Sequence, residues 1–258
     1  MFNKLSIGIF STLALAAAGW GIHEALHSPL FLVQVVELNE VAEDAPVDAQ
    51  GVIQLAAIRV GKVGLFDLDL SQIEKRLLTH PWIRSVQIEK RFPQTVAITP
   101  TFREPRALIQ QADGKLSYVD STGQVFGKVT VGLRSDLPVL SPRVTGDKSL
   151  TALKIIEAWS SQELSKSSRI DSIDFESERG FRLLVTYRMG AMDDYRARSM
   201  VDLGEVQASE AGLQESPLAF QLTQLKSVLR YLSDNQVQAR QIWADLGKKI
   251  VVKIARRS

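Results

Sequence analysis

The chain has 258 residues, 45% hydrophobic and 23% charged, with a formal net charge of +2. That composition suits a protein that buries a core, and the mild charge gives no reason to expect a nucleic-acid partner. The chain contains no cysteine, which excludes disulfides, thiolate metal sites, iron–sulfur clusters and a thiol nucleophile.

An apolar run extends from Leu5 to Ile22, broken only by Ser6, Ser11 and Thr12. It reaches the roughly 18–20 residues that a helix needs to cross a bilayer core. Lys4 precedes it, and no Lys or Arg follows until Arg59, while Glu24, Glu37, Glu40, Glu43, Asp44 and Asp48 do. The positive-inside rule puts the N-terminus in the cytoplasm and the bulk of the chain outside. Trp20 stands at the interface end. Two readings of the run stay open: a retained anchor, or a signal peptide cleaved near the small residues Ala14 to Gly19.

Ser28-Pro29 ends this segment, and Leu30 to Leu38 is expected to be a first strand. Val52 to Ala57 reads as a short helix, and Gly61 and Gly64 flank a tight loop. Ser71 and Glu74 have capping-box spacing, and the helix they open carries Ile73 and Leu77 on one stripe. Pro81 stops it. Arg84 to Arg91 alternates, with Val86 and Ile88 on one face, as a half-buried strand should. Phe92-Pro93-Gln94 turns into a returning strand with Val96 and Ile98. The order strand, helix, helix, strand, strand predicts a compact α+β unit whose two helices cover one face of a three-stranded sheet.

Downstream, Lys115 to Phe126 predicts a hairpin turning at Asp120 to Gly123. Leu137 to Leu140 is a short segment bounded by prolines. Leu150 to Trp159 is helical, with Leu153 and Ile156 on its apolar side. Strands are predicted over Ile170 to Phe175, Phe181 to Tyr187 and Arg198 to Leu203, with polar loops over Met189 to Tyr195 and Ser209 to Glu215. Ser216-Pro217 has the residues of a helix start, and Leu218, Leu222, Leu225, Leu229 and Leu232 then form one stripe. Two strands, Gln241 to Asp245 and Lys249 to Ala255, meet at Gly247.

Candidate chemistry is sparse. The histidines are His23, His27 and His80. His23 and His27 have i, i+4 spacing, but a metal site needs further ligands, and no catalytic residue, cofactor site or metal site is expected. Asp193-Asp194 and Glu176/Glu178 are paired carboxylates, read as solvated loop residues. An exported cell-wall enzyme using such a pair is the alternative reading of another class.

The block Leu77-Leu-Thr-His-Pro-Trp-Ile-Arg-Ser-Val-Gln-Ile-Glu-Lys-Arg-Phe-Pro-Gln-Thr-Val-Ala-Ile98 resembles the POTRA core of the FtsQ/DivIB bacterial cell-division proteins. Its motif residues are Pro81, Trp82, Ile83, Val86, Ile88, Phe92 and Pro93. Asp120-x-x-Gly123-x-Val125-Phe126 is similar to the hairpin opening the family's β domain, and the leucine-striped helix before two strands matches in place. The chain departs from the pattern at Pro100 and Phe102. Pro100 cannot donate to a sheet ladder, so it requires an edge or a bulge there.

The resemblance implies a short cytoplasmic tail at residues 1–4, a transmembrane helix and exit at 5–26, a POTRA-like α+β domain at 30–105, and a β-rich domain with two helices at 106–258. It further implies an inner-membrane, septal, single-pass scaffold without catalysis or cofactor, binding the periplasmic parts of FtsB-like and FtsL-like proteins. On the last strand, Ile250, Val252 and Ile254 are expected to face the leucine-striped helix, and Lys249, Val251 and Lys253 to face away. Its edge is expected to be open, so Lys249 to Ile254, with Trp243 beside it, is the candidate docking edge for an added partner strand.

Overall fold

The computed structural model describes residues 16–21, 28–42, 45–129, 136–161, 164–190, 196–206, 217–245 and 249–255. Most of the expected transmembrane segment, with His23 and His27, lies outside them; residues 16–21 are helical. Among the described residues no helix is long and apolar enough to cross a membrane. The chain divides into two compact units, Met1–Arg103 and Glu104–Ser258.

The first unit holds strands β1 (Val35–Leu38), β2 (Ile83–Arg91) and β3 (Thr95–Phe102), and helices α1 (Ala49–Ala56) and α2 (Leu70–Leu77). The sheet order is β1-β3-β2, parallel between β1 and β3 and antiparallel between β2 and β3. Its core gathers Val52 and Ala56 from α1, Ile73 and Leu77 from α2, and Ile83, Val96 and Ile98 from the sheet. The parallel pair explains the two helices. A parallel connection needs a long crossover, and helices supply it while covering one sheet face.

Local chemistry differs from the sequence reading in two places. Pro29–Phe31 forms a 3-10 turn, so the strand begins only at Val35. Proline fixes φ and starts a turn here. The cap of α2 is Asp69, whose carboxylate accepts from the Gln72 amide at 3.1 Å, with Ser71 donating its hydroxyl to Asp69. The carboxylate reaches the free amides two residues earlier than the Ser71 box requires. The Gln72 amide foremost, with Ser71, holds the Asp69 carboxyl below the ordinary carboxylate range. Pro100 lies on β3 opposite Val86 of β2, while β1 ends opposite Ile98. Proline therefore sits where the central strand has a neighbour on one side only, the position its missing N–H tolerates.

The second unit is one nine-stranded sheet with two long helices. Its strands are β4 (Pro105–Gln110), β5 (Leu116–Asp120), β6 (Val125–Lys128), β7 (Val139–Leu140), β8 (Ser168–Glu176), β9 (Gly180–Arg188), β10 (Arg196–Gly204), β11 (Ala239–Trp243) and β12 (Val251–Ile254). They run in the order β12-β11-β10-β9-β8-β7-β4-β5-β6. Strand β4 was not expected. The two-residue β7 joins the halves, parallel to both β4 and β8.

Helices α3 (Asp147–Ser161) and α4 (Pro217–Asp234) contribute to the same core. On α4, Leu218, Leu222, Leu225, Leu229 and Leu232 are all buried, each worth on the order of 2 kcal/mol against exposure. On α3 the buried side includes Leu153 and also Ile155, which the sequence reading missed, while Ile156 is only partly buried. The expected Ser216 cap, the loop over 209–215 and the Gly247 turn lie outside the described residues, as does most of the 189–195 loop.

The β8–β9 hairpin depends on Gly180, which has φ +71°. A Cβ there would stand 2.1 Å from the Gly204 carbonyl of β10. Gly180→Ala is expected to destabilise the second unit by roughly 2–4 kcal/mol, combining overpacking with left-handed strain. The urea midpoint followed by tryptophan fluorescence measures it, and an unchanged midpoint would contradict this strand contact.

His80 offers a pH test of the first unit. Burial pushes its imidazole pKa below the ordinary 6.5, and its Nδ1 accepts from the Trp82 amide at 3.4 Å. The folded state then holds fewer protons than the unfolded state below pH 6.5, so this contribution is present above 6.5 and lost as pH falls. Unfolding midpoints of the first unit should drop between pH 7.5 and 5.5, and His80→Gln should flatten that drop. Equal pH slopes in both proteins would contradict the assignment.

Candidate functional site

Strand β12 is the terminal strand of the larger sheet. It pairs antiparallel with β11, Trp243 opposite Val251, Ile242 opposite Val252 and Gln241 opposite Lys253. Ile250 and Val252 pack partly buried against the core of the second unit. Lys249 and Lys253 are exposed, and Trp243 is half-buried. Val251 is 45% exposed.

One residue of the expected packed face does not pack. Ile254 is 60% exposed. A register shift between Ala239 and Gln241 falls opposite the step from Lys253 to Ile254. A bulge of this kind re-aims the side chains beyond it. The edge therefore presents two apolar side chains, Val251 and Ile254, beside Lys249 and Lys253. Such lysines discourage indiscriminate strand pairing while leaving the backbone available.

The strand beside this edge is held by polar contacts. The Ser199 hydroxyl donates to the Ala239 carbonyl at 2.7 Å, and the Ala239 amide donates to the Tyr187 hydroxyl at 3.0 Å. Tyr187 and Ser199 are both buried, so these bonds are shielded from competing water. Further along β11, Gln241 donates to Asp202 at 2.7 Å, and the Ala244 amide donates to the Asp202 carbonyl at 2.8 Å. Asp202 also receives the Arg182 Nε at 2.9 Å, and Arg182 reaches Glu176 at 2.6 Å. Burial alone would lower the Arg182 pKa, but the Glu176 and Asp202 carboxylates outweigh it and raise it. Charge-assisted bonds thus tie β8, β9, β10 and β11 into one platform, and β12 is the strand added to it.

The other sequence candidates sit elsewhere. Glu176 is engaged by Arg182, with Arg179 at 3.9 Å. Asp193 and Asp194 lie outside the described residues. Among the described residues no group of three or more His, Asp or Glu side chains could hold a metal ion. In the first unit Ile83 is buried, Trp82, Val86 and Ile88 pack partly buried on the core, and Pro81, Phe92 and Pro93 are exposed. Phe92 is nonetheless not isolated: its ring stands 5.4 Å from Phe66, which meets Phe31 at 5.3 Å. Strand β2, which carries most of this block, is the outer strand of its own sheet.

Comparisons with known proteins place both units. Residues 40–99 match the FtsQ-type POTRA domain, and residues 107–196 match the C-terminal domain of cell division protein FtsQ/DivIB. The second match ends where β10 begins, so β11 and β12 lie beyond it. Cell division protein FtsQ of Geotalea daltonii is 33% identical over 128 residues, covering 50% of this chain and 45% of that protein. The FtsQ of Myxococcus fulvus is 26% identical over 163 residues, covering 59% and 55%. The FtsQ of Syntrophotalea carbinolica is 25% identical over 217 residues, covering 76% of each. The chain thus spans about half the length of the first two of these relatives. With an FtsQ-type POTRA unit followed by an FtsQ/DivIB C-terminal unit, the chain belongs to the FtsQ/DivIB family of cell-division proteins.

Proposed function

We propose that this protein is a non-enzymatic divisome scaffold that uses β12 to bind the periplasmic parts of FtsB-like and FtsL-like proteins. In this reading the run from Leu5 to Ile22 anchors it in the inner membrane at the septum, with the N-terminus cytoplasmic and the two units periplasmic. The protein links early division proteins to septal peptidoglycan synthesis by holding partners, with no cofactor or small-molecule substrate. Residues 1–4 form the cytoplasmic tail, 30–105 the POTRA-like domain and 106–258 the partner-binding domain.

The observation that carries the proposal is the state of the terminal strand. Among the described residues β12 has one paired neighbour; it carries the exposed Val251, Lys253 and Ile254, and the exposed Lys249 stands two residues before it. An incoming strand satisfies the free backbone groups through ladder hydrogen bonds, and its side chains supply specificity. Apolar residues would cover Val251 and Ile254, and acidic residues would meet Lys249 and Lys253. The Arg182–Asp202–Gln241 contacts keep the platform rigid, so little ordering is required when the partner strand arrives.

Membrane co-purification of the full chain, with partners identified by mass spectrometry, tests this. FtsB-like and FtsL-like proteins are expected with the parent, and to fall at least about tenfold with Lys249→Glu/Lys253→Glu, from two reversed charge contacts. Val251→Pro, confirmed folded by circular dichroism, should reduce them similarly by disturbing the ladder. Undiminished recovery with both variants would move docking away from β12. Recovery of no division protein with the parent would contradict the scaffold itself.

A further inference from the structure

Phe92, at the turn between β2 and β3, is 64% exposed, and Leu30, in the 3-10 turn before β1, is 71% exposed. The backbone brings these two turns to one end of the first unit. The Leu65 amide donates to the Phe31 carbonyl at 2.7 Å, and the Gln34 amide donates to the Gln94 carbonyl at 2.8 Å. Three rings stand in a row there: Phe31 meets Phe66 edge-on at 5.3 Å, and Phe66 meets Phe92 at 5.4 Å. Phe31 and Phe66 are only half-buried. A single exposed apolar side chain needs no explanation. A row of rings continued by an exposed leucine is a contiguous patch, the kind that marks a protein or membrane contact.

The charges beside the patch are already engaged. Lys90 donates to the Phe66 carbonyl at 3.3 Å, and Arg91 pairs with Glu37 at 2.9 Å. Recognition here therefore rests on apolar and aromatic surface and not on ion pairing. The sequence limits what covers that surface. The apolar run ends at Ile22, and between Ile22 and Leu30 the chain spans at most about 29 Å even when fully extended. A bilayer that holds the run is never farther than this from the patch, whatever path the chain takes.

We propose that this aromatic end of the first unit lies on the bilayer, with Phe92 and Leu30 set into the boundary between headgroups and acyl chains. The inference rests on the Leu5–Ile22 run being a retained anchor. Phenyl and leucyl side chains favour that boundary. Two such side chains are weak membrane ligands by themselves, but the tether makes their contact intramolecular, at a high effective concentration. A soluble partner has no such advantage. The contact also orients the unit: the β2–β3 turn faces the bilayer, and the far end of β2, with Ser85, points away from it.

The chain contains no cysteine, so single nitroxide labels can be placed on the full chain in nanodiscs of phosphatidylethanolamine and phosphatidylglycerol. Electron paramagnetic resonance then reads the access of oxygen, which concentrates in lipid, and of a water-soluble nickel chelate. A label at Phe92→Cys, its apolar ring replacing the phenyl, should show an oxygen-to-nickel ratio several-fold above a label at Ser85→Cys, an exposed position on β2. Leu30→Glu should bring the Phe92 ratio down to the Ser85 value. A third label, at Ala16→Cys, reports on the anchor itself. A lipid signature at Ala16 with equal ratios at Phe92 and Ser85 overturns this inference and leaves the anchor standing; no lipid signature at either Ala16 or Phe92 overturns both. Low access of both agents at Phe92 would mean cover by protein, residues 22–27 or another chain, and would overturn the bilayer contact, as would a Phe92 ratio indifferent to Leu30→Glu.

Discussion

The larger unit depends on burying the leucine stripe of α4. That stripe must lie on the sheet, and the chain must then return to the sheet after crossing its face. The return places β11 parallel to β10, the arrangement that a helical crossover permits and a tight hairpin does not. Once β11 is laid down, β12 folds back against it as the last strand, and its far side has no strand partner among the described residues. Core burial thus generates the open edge.

Polar contacts then fix what burial only positions. Tyr187 and Ser199 hold the Ala239 backbone, and Gln241 is tied to Asp202. Without such ties, an added strand on a mobile edge would lose affinity to the ordering of the edge itself. Arg182 is neutralised within the fold.

Much of this was legible in the sequence because it is local. The five leucines of α4 and the alternation of β2 report their faces directly, and the Pro81–Pro93 block points to the POTRA unit. Strand β4 escaped because Pro105 and the preceding Arg103-Glu104 read as punctuation, while the Ala107-Leu108-Ile109 run is too short to separate strand from loop by period. The joining of two half-sheets through Val139 and Leu140 is non-local and leaves no periodic trace. At the candidate edge, strict alternation placed Ile254 on the packed face, but a shift in the neighbouring strand decides its direction. The Ser71 box misled because Asp69, two residues earlier, caps the Gln72 amide and starts the helix before Ser71.

The central claim is that partners add a strand to β12. Amide hydrogen exchange of the full chain, alone and in its co-purified complex, addresses it most directly because it reads the backbone groups that augmentation would pair. The account predicts that amides of residues 250–254 become protected in the complex while those of β6, the opposite edge, stay unchanged. Protection confined to other strands, with 250–254 exchanging as in the free protein, would contradict it.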